Sequence, residues 1–161
     1  LPILVYGLSL SYVSPLLGIE GVNFGSSLIL NICAEFVLGV DPQSSELNIN
    51  LHPIAFAGWI GMLVTALNLI PIGQLDGGHI VFALSPKQHK WTGRLFFLAL
   101  FPLGYFWTGW FFWAVMIVLV GFKTAPLLDD KEELGTLHRV LGLVSISIFL
   151  VTFIPIPFSL L

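Results

Sequence analysis

Residues 68 to 79 read Asn68-Leu69-Ile70-Pro71-Ile72-Gly73-Gln74-Leu75-Asp76-Gly77-Gly78-His79, a carboxamide and a carboxylate at the end of a long apolar stretch. Pro71 has no N–H to offer the carbonyl of Leu67 and its ring crowds that carbonyl, so a helix passing through this point is kinked or broken. In an apolar medium the freed carbonyl must be satisfied by protein, water or a ligand, which sets non-helical backbone against a cavity rather than acyl chains. Gly73, Gly77 and Gly78 admit close backbone approach and a tight bend. The stretch predicts an all-α chain in which one helix is interrupted around a polar site.

Working outward, the chain of 161 residues is 57% hydrophobic and 9% charged, with a mean hydropathy of +0.96. A soluble domain of this composition would expose much of its core, so an integral membrane protein is expected. A crossing helix needs about 20 mainly apolar residues, each adding about 1.5 Å to a hydrocarbon layer about 30 Å thick. Five stretches are candidates. Residues 1–17 and 25–40 are short, the second carrying Asn31 and Glu35, whereas 53–75, 95–121 and 137–158 are long enough. The expected fold is a polytopic transmembrane helical bundle with one helix broken at the Asn-x-x-Pro / Leu-Asp-Gly segment. Because the chain starts at Leu1 inside an apolar stretch, without a basic leader, it reads as a fragment.

Three polar connections separate the stretches: Asp41 to His52, Ser85 to Arg94, and Lys123 to His138. Ser85-Pro86 biases the chain away from helix at the residue before proline. Lys87, Lys90 and Arg94 make the second connection the clearest basic loop, which places it on the cytoplasmic side or its organellar equivalent and sets Asp76 toward that surface. The run Tyr105-Phe106-Trp107-Thr108-Gly109-Trp110-Phe111-Phe112-Trp113 supplies rings suited to the bilayer interface or to packing between helices. Cys33 is the single cysteine, so neither an internal disulfide nor a cysteine-based metal site is available. With no basic patch, nucleic acid is excluded as a partner.

An ionised carboxylate at membrane depth is costly unless it is neutralised, paired or bound to a metal. No Lys or Arg lies near Asp76 in sequence, which leaves protonation or a metal, with a helix-terminal cap at the interface as the structural alternative. Asn68 and Asp76 are eight residues apart, a little over two helical turns, so both would lie near one face of an unbroken helix.

The run from His52 to His79 resembles the second signature of site-2 proteases, the intramembrane zinc metalloproteases of peptidase family M50. It is similar in particular to the bacterial and plastid subgroup without a PDZ insertion. On that resemblance residues 1–161 form the C-terminal part of such a protease domain. Asp76 matches the third protein ligand to zinc, and Asn68 matches the asparagine that helps hold the substrate backbone or the oxyanion. The implied cofactor is Zn2+, the implied partners are a transmembrane protein substrate and the lipid bilayer, and the implied location is the bacterial inner membrane or a plastid membrane. The broken backbone at Pro71 is expected as a docking edge for an extended substrate segment.

The pattern also departs from the family's. His52, His79, His89 and His138 are followed by Pro53-Ile54, Ile80-Val81, Lys90-Trp91 and Arg139-Val140, so none begins His-Glu-x-x-His. The remaining zinc ligands and the general base are expected upstream of Leu1, and the fragment alone is expected to be inactive. His79, three residues after Asp76, could share a helical face with it and is read as an interfacial histidine or a neighbour of the site. Glu35, His52, His89 and His138 are read as solvated or capping residues. Two other functions fit the same residues: an ion or proton transporter with Asp76 as relay, or a catalytically inactive protease homologue acting as a membrane adaptor.

Overall fold

The computed structural model describes residues 1–15, 22–42, 47–120 and 135–160. Helices dominate it, and two short antiparallel strand pairs accompany them. The chain divides into two compact units, Leu1–Ala66 with Val151–Leu161, and Leu67–Leu150.

The first unit contains α1 (Pro2–Ser9), β1 (Tyr12–Pro15), β2 (Val22–Phe24), α2 (Leu28–Leu38), β3 (Leu47–Asn50) and most of α3 (Pro53–Asn68). β1 pairs with β3 in the register Tyr12 to Asn50 through Pro15 to Leu47, and β2 pairs with the last strand of the chain. The core gathers Leu4, Leu8, Leu30, Ala34, Trp59, Met62 and Ile154. Trp59 stacks on Phe56 with ring centroids 5.9 Å apart and meets the edge of Phe158 at 5.2 Å. Its indole Nε1 donates to the Gly25 carbonyl at 2.8 Å, so the one polar atom of a fully buried ring is satisfied.

The second unit contains α4 (Asp76–Leu84), α5 (Pro86–Phe106), α6 (Gly109–Val120) and nearly all of α7 (Thr136–Thr152). α5 packs against both α4 and α6. Its inner stripe is His89, Gly93, Leu100 and Gly104, positions that recur on one side of a helix. Phe96 of α5 meets Phe149 of α7 edge-on at 5.9 Å. The final strand, β4 (Phe158–Leu160), follows α7 and belongs to the first unit.

The helical character matches the expectation from sequence, whereas the described helices are shorter than or divide the expected spans. Among the described residues no helix is long and apolar enough to cross a membrane. In 1–17 the helix α1 stops at Ser9 and gives way to β1, with residues 16 and 17 outside the described residues. In 25–40 the helix occupies Leu28–Leu38. The stretch 53–75 is helical only to Asn68, because Pro71 ends it. The stretch 95–121 is divided between α5 and α6 at Trp107 and Thr108, and 137–158 is helical to Thr152, where Pro155 and Pro157 follow.

The basic loop expected at Ser85–Arg94 is also corrected. Ser85 does interrupt the helical path, with φ −155° and ψ 89°, as the residue before a proline should. Pro86 then opens α5 in the first turn, where its missing N–H costs nothing, so Lys87, Lys90 and Arg94 stand exposed on a helix. The connection from Asp41 to His52 contains β3, and the one from Lys123 to His138 lies outside the described residues up to 134. Within the aromatic run Trp110 is fully buried while Tyr105, Phe106, Phe111 and Phe112 are exposed.

Candidate functional site

The break between α3 and α4 is built from residues 69 to 75. Asn68 is the last residue of α3 and Asp76 the first of α4, so the two polar residues singled out by sequence stand at opposite ends of one interruption rather than two turns apart on one helix. The Leu67 carbonyl, deprived of a donor by Pro71, accepts instead from Ile70 N–H at 3.3 Å. A tight turn thus satisfies the acceptor that sequence reasoning left for a cavity or a ligand. Ile72 N–H donates to the Ile70 carbonyl at 2.8 Å, and Leu75 N–H to the Ile72 carbonyl at 3.1 Å.

Gly73 has φ of +54°, a conformation in which a side chain would crowd the following carbonyl. It reverses the chain so that α4 starts close under the turn. A Cβ on Gly77 would overlap the Leu69 carbonyl, and one on Gly78 would overlap the Gly73 carbonyl. Both glycines are therefore required for close approach. Ile70, Pro71, Ile72 and Gly73 of the break are buried, while Asn68, Gln74 and Asp76 are exposed. Pro71, expected as part of a docking edge, is thus buried.

Asp76 is exposed in the first turn of α4, where the positive end of the helix dipole favours an anion. The N-cap position is occupied by Leu75, whose side chain caps nothing. His79 is exposed three residues further on the same face, and its N–H closes the first turn by donating to the Leu75 carbonyl at 3.1 Å. Asp76 and His79 together offer one carboxylate and one imidazole on the open side of α4.

Among the described residues no group of three or more His, Cys, Asp or Glu side chains comes together to hold a metal ion. Asp76 fits the role of one ligand in a larger set, since it presents an accessible carboxylate on a rigid helix start, an oxygen donor of the kind zinc accepts. The described residues do not bring a complete donor set to it.

The other ionisable residues separate clearly. His52 caps α3, its Nδ1 accepting from Ile54 N–H at 3.3 Å, and Glu35 and His138 are exposed, all as expected from sequence. His89 is a correction. Only 6% of it is exposed, and it meets the Phe82 ring edge-on with centroids 5.4 Å apart. Its place early in α5, ahead of the apolar stretch that begins at Leu95, turns it inward toward α4. Burial pushes its imidazole pKa down, a hydrogen bond to the Gly78 main chain works the other way, and nearby His79 and Lys90 push it down further. A bond that favours the protonated ring is one in which the imidazole N–H donates, here to the carbonyl of Gly78. The signal available in sequence was the pair His89 and Gly93, one turn apart within the inner stripe of α5.

The comparisons with known proteins agree with this arrangement. The model of "Peptidase family M50" matches residues 21–107, which include the whole break. The protein named "Probable zinc metalloprotease EGY1, chloroplastic" of Arabidopsis thaliana is 28% identical over 144 residues, 88% of this chain and 26% of its own length. "Probable zinc metalloprotease EGY2, chloroplastic" of Oryza sativa subsp. indica is 30% identical over 168 residues, covering 94% of this chain and 30% of its own length. "Probable zinc metallopeptidase EGY3, chloroplastic" of Arabidopsis thaliana is 50% identical over a shorter run of 44 residues. The chain thus spans between a quarter and a third of the length of the first two relatives. No solved structure matches it. With the family model covering more than half of its length and the interrupted helix at the centre of the matched residues, the chain belongs to peptidase family M50.

Proposed function

We propose that this chain supplies Asp76 as the third protein ligand of a zinc centre that hydrolyses peptide bonds in membrane-embedded segments of other proteins. The observation that carries the reading is the paired placement of Asn68 and Asp76 at the two ends of the α3–α4 break, both exposed, in a chain of this family. The names of the relatives as zinc metalloproteases support the choice of metal.

Each residue has a definite task under this reading. Asp76 binds as the anion, and the N-terminal end of α4 stabilises that charge. The Asn68 carboxamide, at the exposed end of α3, donates hydrogen bonds to the substrate main chain or to the oxygen that gains charge during attack. Ile70, Pro71 and Ile72, buried between the two, fix the path of the break. The chemistry that a bound zinc supplies is Lewis acidity, which polarises a carbonyl and brings the pKa of water to about 7.

Membrane embedding belongs to the same proposal. It is supported by the composition and by the exposed apolar residues of α5, α6 and α7, among them Leu95, Leu98, Phe112, Leu119, Leu143 and Leu150. A plastid membrane agrees with the word "chloroplastic" in the relatives' names, and a bacterial inner membrane fits the same subgroup. A transporter with Asp76 as relay is the alternative that a second interrupted helix in corresponding position would favour, and an upstream His-Glu-x-x-His decides for the protease.

The test is zinc analysis of the purified full-length protein beside its Asp76→Ala form, joined to cleavage of a membrane substrate by the parent and by Asn68→Ala. Asp76→Ala is expected to lose bound zinc and all cleavage. Asn68→Ala is expected to keep zinc and lose about 10²–10³-fold in rate, the scale of one lost oxyanion donor. Equal zinc in the parent and Asp76→Ala removes Asp76 from the coordination.

A further inference from the structure

The break that carries Asp76 rests on α5, and two residues of α5's inner stripe lie beneath its two halves. Gly93 lies under the turn: a Cβ there would come 3.6 Å from the Pro71 carbonyl and 3.9 Å from Ile72 Cα, ordinary contact distances. One turn earlier, His89 is buried against Phe82 of α4 and donates to the main chain at Gly78, two residues after Asp76. The first turn of α4 has no side-chain cap. Its N-cap residue is Leu75, which offers no capping oxygen, and the two glycines that follow Asp76 lack side chains that could anchor it.

We propose that His89 is a positioning residue, which from α5 holds the main chain at Gly78 and thereby sets the direction in which Asp76 presents its carboxylate. The inference rests on the reading of Asp76 as a zinc ligand and adds to it the residue that keeps the ligand in place. The ring N–H of His89 is directed at Gly78, so it acts on the main chain of α4. It acts through three bonded residues, Asp76, Gly77 and Gly78, of which Gly77 is pinned against the Leu69 carbonyl. Loss of the donor frees the helix start to rotate, and a carboxylate that must reach a metal at a bond length near 2 Å loses affinity through small rotations.

The experiment uses the full-length protein in detergent and compares the parent with His89→Phe, His89→Gln and Asp76→Ala. Zinc affinity is read by competition with a chelator, and the unfolding midpoint of each metal-free form is read separately. His89→Phe keeps a ring against Phe82 but has no donor, and its zinc affinity is expected to fall by about 10–100-fold, the usual effect of removing an outer partner of a metal ligand. His89→Gln retains a donor and is expected to recover most of that loss. The metal-free midpoints report whether each His89 variant is folded before its zinc affinity is compared. If His89→Phe does not accumulate folded, His89→Leu, also without a donor and smaller, takes its place. Parent-like zinc affinity in the donor-less variant overturns the inference, as does an equal loss in His89→Gln. Zinc retained by Asp76→Ala instead sinks the reading on which the inference rests, and the two failures are read from different samples.

Discussion

Gly73 shows how much of the site is decided by single residues. Its φ of +54° is one that L side chains reach only at a cost of about 1–2 kcal/mol, and it lies between Asn68 and Asp76. Gly73→Ala is therefore expected to destabilise the full-length protein by about 1–2 kcal/mol, and Gly73→Asn by less because asparagine tolerates this conformation better. Chemical unfolding of the two variants in one detergent checks the order, and equal stability of Ala and Gly at this position would show that the turn relaxes to another path. Part of this was legible in advance: a glycine two residues after a proline in an apolar stretch announces a turn. His89 was not legible in the same way. Periodicity places a residue on a face, but whether a lone imidazole on that face is solvated or bonded inward depends on what the neighbouring helix presents, and here that is a bare carbonyl beside two glycines.

At the scale of elements, α2 shows how local chemistry sets a helix boundary. Ser27 is 2% exposed, precedes the first turn in extended conformation, and its Oγ accepts from Leu30 N–H at 3.3 Å. Ser27→Ala is expected to cost about 1 kcal/mol by leaving that donor without its cap, and Ser27→Thr to restore most of it. Thermal unfolding of both variants distinguishes a cap from mere packing, for which Ala would be tolerated. The same reasoning explains which boundaries the sequence revealed. Pro71 and Ser85-Pro86 ended helices where they should, because a missing N–H and a clash with the preceding residue act whatever the surroundings. The change from α1 to β1 was hidden, since Tyr12-Val13-Ser14 continues an apolar run in which helix and strand look alike, and only pairing with β3 decides. The division at Trp107 and Thr108 was hidden for a similar reason, an aromatic run with helical neighbours on both sides.

For the whole molecule, the question is where so much apolar surface belongs. Large apolar side chains are exposed along α5, α6 and α7, and exposed apolar surface on this scale marks an interaction with a partner or a membrane. Arg94 and Lys90 stand together near the start of α5, with the Arg94 guanidinium 5.8 Å from the Trp91 ring centroid, an arrangement suited to a headgroup region beside an apolar layer. No described helix crosses such a layer by itself, so the proposed embedding depends on several shorter helices sharing the apolar environment. The full-length protein is accordingly expected to sediment with membranes, to remain there after alkaline carbonate washing, and to dissolve only in detergent. Release by carbonate would assign the apolar faces to protein contacts and remove the bilayer from the proposal. The proposal for Asp76 would be untouched by that result, because the geometry of the α3–α4 break depends on Pro71, Gly73, Gly77 and Gly78 rather than on the medium around the helices.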